Sequence, residues 1–373
     1  MVEKMYKLRF LARVGMWVMV AVAFWLIVAL FIPPFRAPEC PEWDGQLYTI
    51  RHQDLRDNNP LYTDLLLKSV KRSGGWLVLG TSETNARPKG NYYDFLNADT
   101  SLHCGFSVIA GAGRTPCTYF PLILSNENVR GLKVLFFLNP SYGCGKLAYS
   151  NEDYFFRYVS PAVYREANRP VHQDVDRIMK ANQPKVAWNE RVGDWLACHT
   201  AHLLRKYSQD LVFALDPAKF GKTLTWLDSA RVSRLPRSCD PPDSSRYNYM
   251  WNVAANFDVH SYTLWPHPES SYRCEELRTM IRLCKERGVD IVFVAGPCNE
   301  IAYRNIHPQE LPKIQQVSAD LRKVLDEEGA NYIDCTDLSP MPGVFADWQH
   351  HTSYGGYLIY QKIKAYVLEK ENR

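Results

Sequence analysis

No two of the ten cysteines stand at C-x-x-C spacing, so the chain lacks the usual clip for structural zinc and the redox pair of a thioredoxin-like site. A strong net charge is lacking too. The formal charge of the 373 residues is +4, and residues 1–13 hold Lys4, Lys7, Arg9 and Arg13 against Glu3, a net +3 that leaves only +1 for the rest. A body so nearly neutral is a poor partner for nucleic acid. Signs of disorder are missing as well, because 46% of the residues are apolar and Tyr and Trp are abundant.

Between residues 14 and 32 there is no charged residue at all. Nineteen such residues are long enough to cross a bilayer as one helix. The basic cluster lies before them, which puts residues 1–13 in the cytoplasm and the rest outside. A cleaved signal peptide is the rival reading; its apolar core would be shorter and a small-x-small site would follow, whereas Pro33-Pro34-Phe35-Arg36 follows here. The expectation is a single-pass anchor at the cell membrane, a proline-punctuated stalk over 33–60 and an extracytoplasmic domain over 61–373. All ten cysteines fall beyond the anchor, as in a disulfide-bearing exported domain, and Cys104 and Cys117, which flank a glycine-rich turn, are candidate partners.

Apolar runs at 76–79, 106–110, 133–138, 289–295 and 331–334 alternate with stretches of helical spacing, the rhythm of a parallel α/β sheet. The first run ends in Gly80-Thr81-Ser82-Glu83, a strand turning tightly into a helix at the sheet edge where ligands bind in such folds. Ser82 is either a helix cap or a nucleophile. A base for it stands near the far end, in Asp347-Trp348-Gln349-His350. The second run leads into Gly111-Ala112-Gly113, where the N–H of Gly111 or Gly113 could join an oxyanion hole. The third ends in Asn139-Pro140, with Asn139 either a substitute oxyanion donor or an Asx-turn.

G-T-S-E early and D-W-Q-H-x4-G late resemble the first and last motifs of SGNH (GDSL-like) hydrolases. More narrowly they resemble the D-alanyl-transfer family DltD, whose P-x-N segment is similar to Pro297-Cys298-Asn299. The likeness spans the anchor, about 75–145 and about 288–365. It implies a three-layer, flavodoxin-like parallel sheet and a Ser82–His350–Asp347 triad working without metal or cofactor. It places Glu83 and Asn299 at the substrate-binding site. His350 is preferred to His351 because Gly355 then falls five residues later, as in the family. The chain departs from SGNH hydrolases in having no G-x-N-D block at Asn139. The implied role is acyl transfer or ester hydrolysis, D-alanyl or acetyl, on a cell-envelope glycopolymer beside a polytopic membrane-bound O-acyltransferase. A non-catalytic adaptor that holds a glycopolymer or a partner is the alternative.

Residues 147–285 interrupt the α/β rhythm with two aromatic-rich stretches, 149–164 and 247–265, expected to form a lid or side wall of the cleft. Cys198, His199 and His202 share a predicted helix but have no further ligand at metal spacing.

Overall fold

The computed structural model describes residues 2–31, 48–49, 67–68, 70–85, 91–110, 115–125, 127–140, 225–226, 272–347 and 349–371. At its centre lie five parallel strands: β1 (Trp76–Gly80), β2 (Phe106–Ala110), β3 (Lys133–Leu138), β4 (Asp290–Ala295) and β5 (Asn331–Asp334). They lie in the order β2-β1-β3-β4-β5. This is the flavodoxin-like order, in which the direction of strand addition reverses beside β1 and leaves a crevice at the carboxyl ends of β1 and β3. A separate two-residue antiparallel pairing joins Tyr48 to Trp226.

The strands read as unbroken apolar runs because the sheet is covered on both faces. Successive side chains point to opposite sides. Leu77, Leu79, Val134, Phe136, Ile291 and Phe293 enter one core, packed under helices Phe120–Ser125, Tyr272–Arg287 and Leu311–Glu327. Trp76, Val78, Leu135, Phe137, Val292 and Val294 enter the other, under helices Tyr92–Ala98 and Ser353–Glu371. Full burial of one such side chain contributes about 1.5–3 kcal/mol, so the two cores together fix the strand register that sets the crevice. Three layers result, as the resemblance implied.

One expectation is met in part and another is corrected. The apolar N-terminal segment does form a helix, Val2–Phe31. Among the described residues, however, no helix is long and apolar enough to cross a membrane. Second, Cys104 is a free, buried thiol and not half of a disulfide with Cys117. Cys104 precedes β2 and Cys117 lies in the 3-10 turn Pro116–Tyr119 after it. A five-residue strand separates two such positions by roughly 15 Å, about twice the Cα separation a disulfide can bridge. Cys284, Cys298 and Cys335 are likewise free and buried, and Cys274 is a buried thiol too, all behaving as small core hydrophobes.

The stalk expected over 33–60 lies outside the described residues apart from Tyr48–Thr49. So do the aromatic-rich stretches and the Cys198, His199 and His202 group of the 147–285 segment.

Candidate active site

The turn that carries Ser82 is fixed from several sides. β1 ends at Gly80, where a Cβ would run into the Thr84 hydroxyl and press on Phe137, so only glycine lets the chain turn here. The Tyr119 hydroxyl lies 2.5 Å from the Gly80 carbonyl and 3.0 Å from that of Ile109, bridging the ends of β1 and β2. Thr84 meets the Tyr92 hydroxyl at 3.0 Å. Ser82 opens the short helix Ser82–Asn85 and is half-buried at the crevice.

The C-terminal loop arrives from the other end of the chain. Backbone bonds from Ala346 N to the His350 carbonyl (2.7 Å) and from Thr352 N to the Val344 carbonyl (2.9 Å) fold 344–352 back on itself. Gly355 sits so close to the Val344 carbonyl that a Cβ could not be accommodated, which lets helix Ser353–Glu371 start directly against this loop. Within it Asp347 Oδ1 accepts the backbone N–H groups of Gln349 (2.9 Å) and His350 (2.7 Å). Asp347 Oδ2 meets His350 Nδ1 at 2.7 Å. The other ring nitrogen, Nε2, is 3.0 Å from Ser82 Oγ.

Electrostatics follow from these bonds. Burial disfavours the Asp347 carboxylate, but the hydrogen bonds and charge of His350 outweigh it and hold the carboxyl below its ordinary range. Burial pulls His350 down, and the hydrogen bond and charge of Asp347, with the charge of Glu83, raise it by more. The imidazole is therefore oriented by one neighbour and faces a hydroxyl with its free nitrogen, the geometry of a nucleophile and its base.

His351, the rival from the sequence, lies in the core. It is buried between Phe137 (5.5 Å between ring centroids) and Phe345 (5.1 Å). Neither ring nitrogen has a hydrogen-bond partner among the described residues, and burial pushes it down to about 3. It is a neutral packing ring.

The remaining predicted residues separate. Asn299 caps helix Glu300–Ile306 through a 3.0 Å bond from Ala302 N, and its amide donates to the Asp347 carbonyl at 2.9 Å. It supports the loop from behind. Glu83 is fully buried and accepts hydrogen bonds from the Thr81 hydroxyl and the Asn139 amide. Asn139 is thereby engaged with Glu83. Gly111 and Gly113 lie outside the described residues. Sequence reasoning missed Gln349, whose side-chain amide donates to Ser82 Oγ at 3.5 Å; its place inside D-W-Q-H was the only available signal. Among the described residues no group of His, Cys, Asp or Glu is arranged to hold a metal ion.

The family model described as DltD protein matches residues 265–368, the stretch that carries Asn299, Asp347, His350 and Gly355. No curated protein matches the chain. Among solved structures, the acetyl xylan esterase AlAXEase is similar at 12% identity and a TM-score of 0.35, over 78% of this chain and 99% of that one. A catalytic mutant of Axe2, an acetylxylan esterase from Geobacillus stearothermophilus, is similar at 10% identity and a TM-score of 0.34, over 79% of this chain and 93% of that one. The likeness to the DltD family rests on this C-terminal match and on the motifs it contains, and the chain is DltD-like over residues 265–368.

Proposed function

We propose that this DltD-like enzyme is an acyltransferase or esterase in which Ser82 is the nucleophile, His350 its general base and Asp347 the group that orients the imidazole. The observation that carries the reading is the unbroken line of contacts from Asp347 Oδ2 through the His350 ring to Ser82 Oγ. As Ser82 Oγ bonds to the carbonyl carbon of an ester or thioester, its proton passes to His350 Nε2. Collapse of the tetrahedral intermediate breaks the bond to the leaving alcohol or thiol, which departs with that proton. The acyl group on Ser82 is then taken by water or by a sugar or polyol hydroxyl, deprotonated by the same imidazole, and Ser82 is regenerated.

The acyl donor and acceptor in this proposal are those of the family: D-alanyl or acetyl groups, a cell-envelope glycopolymer, and a polytopic membrane-bound O-acyltransferase as partner. An extracytoplasmic, membrane-attached location belongs to the same proposal. It is supported by the side chains of Trp17, Met19 and Phe24, which stand exposed on helix Val2–Phe31 where an apolar surface is costly in water.

A fluorophosphonate probe tests the chemistry on the full-length chain. Labelling of the wild type, lost in Ser82→Ala and in His350→Ala, is the expected result, and labelling that persists in Ser82→Ala refutes it. One observation favours the adaptor reading: the Asn139 amide is committed to Glu83 instead of standing open as an oxyanion donor. A wild type that does not label, yet binds a glycopolymer, would establish that alternative.

A further inference from the structure

Glu83 follows Ser82 directly, and its side chain is wholly enclosed. A carboxyl survives such burial only when its oxygens are partnered. Both are: the Thr81 hydroxyl donates to Oε2 and the Asn139 amide to Oε1. Thr81 follows β1 and Asn139 follows β3, so one carboxyl ties together the ends of the two strands that frame the crevice. The Glu83 carbonyl is held as well, by the Asn91 amide at 2.6 Å. Thr81 and Asn139 also form part of the wall of a small cavity of about 30 Å3, together with Thr115 and Arg273.

We propose that Glu83 is a positioning residue for the Ser82 reaction: it locks the nucleophile turn to the ends of β1 and β3 and sets a buried negative charge that favours the imidazolium formed on His350. This inference rests on the serine chemistry proposed above. The groups that act on Glu83 are His350 and Asp347 from the C-terminal loop, with Tyr92 from helix Tyr92–Ala98. Burial pushes Glu83 up to about 7, against the hydrogen bond from Thr81 and the charge of His350, which lower it. The charges of Glu83 and His350 therefore favour one another.

The test follows p-nitrophenyl acetate hydrolysis and fluorophosphonate labelling from pH 5 to 9 in the full-length wild type, Glu83→Gln and Asn139→Ala. Glu83→Gln keeps the shape and removes the charge. KM should stay unchanged, because Glu83 cannot touch substrate. Above pH 7 kcat should fall about tenfold, the scale of one buried charge interaction. The acidic midpoint of kcat/KM should shift to lower pH, since the imidazolium loses its stabilising charge. Asn139→Ala leaves the carboxyl but removes a donor, so Glu83 should ionise only at higher pH and the acidic midpoint should shift the same way as in Glu83→Gln, by less. Profiles superimposable on the wild type in the variants that fold overturn the inference. Should Glu83→Gln lose its cooperative melt, the smaller shift in the same direction expected of Asn139→Ala decides. Equal labelling of wild type and Ser82→Ala is a different failure, that of the serine chemistry itself.

Discussion

Ser82 Oγ lies 3.0 Å from His350 Nε2, although 268 positions of sequence separate the two residues. Neither group is reactive by its own composition. The serine stands on the turn after β1 and the histidine on a loop closed against the first turn of the last helix, so their separation is set by the packing of that helix onto the sheet.

The pH dependence of turnover follows from His350. A general base works only when unprotonated, and this imidazole holds its proton more tightly than an ordinary histidine. Activity should therefore rise with pH through a midpoint above about 6.5. In Asp347→Asn the midpoint should fall, and kcat should drop by roughly a thousandfold or more because the ring loses its tautomer and its orientation. A pH–rate profile of both proteins checks each.

His350 and His351 are adjacent, and their variants should behave oppositely. His350→Ala should abolish labelling of Ser82. His351→Phe should keep the labelling and make the fold more tolerant of acid. The wild-type His351 is neutral when folded and protonates readily when unfolded, with a folded value of about 3. Its contribution to stability is complete above about pH 6.5 and is lost as pH falls toward 3, by up to a few kcal/mol. Thermal melts at pH 5 and pH 8 separate the two proteins.

Glu83 has the reverse sign. Its folded value of about 7 exceeds its unfolded one, so between about pH 4.5 and 7 the native state holds a proton that the unfolded state has released. Stability therefore declines as pH rises through that window, by about 3 kcal/mol for a shift of this size. Glu83→Gln lacks this loss, and the difference in Tm between the variant and the wild type should grow in the variant's favour from pH 5 to pH 8.

Gly355→Ala tests the coupling of helix and loop. A methyl group there meets the Val344 carbonyl, a backbone atom that cannot rotate away. Overpacking of this kind costs about 1–3 kcal/mol. Because the displaced segment carries Asp347 and His350, labelling of Ser82 should slow by more than the loss of folded protein explains. Labelling rate measured against the folded fraction shows this.

Much of this was legible in the chain. The five runs became the five strands: the first four are covered on both faces, need no alternation and read as near-continuous stretches of Val, Leu, Ile and Phe, while the edge strand Asn331–Asp334 is partly exposed. The pairing of Ser82 with Asp347 and His350 was readable because both motifs are local and sit next to turn glycines. The contacts made by Glu83, Asn299 and Gln349 were not, because each depends on residues from elements distant in sequence. The Cys104–Cys117 pairing went astray for a related reason: a cysteine count carries no distances.

The sequence by itself determined which segments are strands, their burial on both faces and the chemical groups available at their ends, because periodicity and side-chain type are local properties. Only the tertiary structure decided which of two adjacent histidines meets the serine and which becomes core, that the glutamate after the serine is enclosed, and that Cys104 keeps its thiol. Those outcomes depend on burial and on distances of a few ångströms between remote residues, which the packing of the last helix against the sheet establishes.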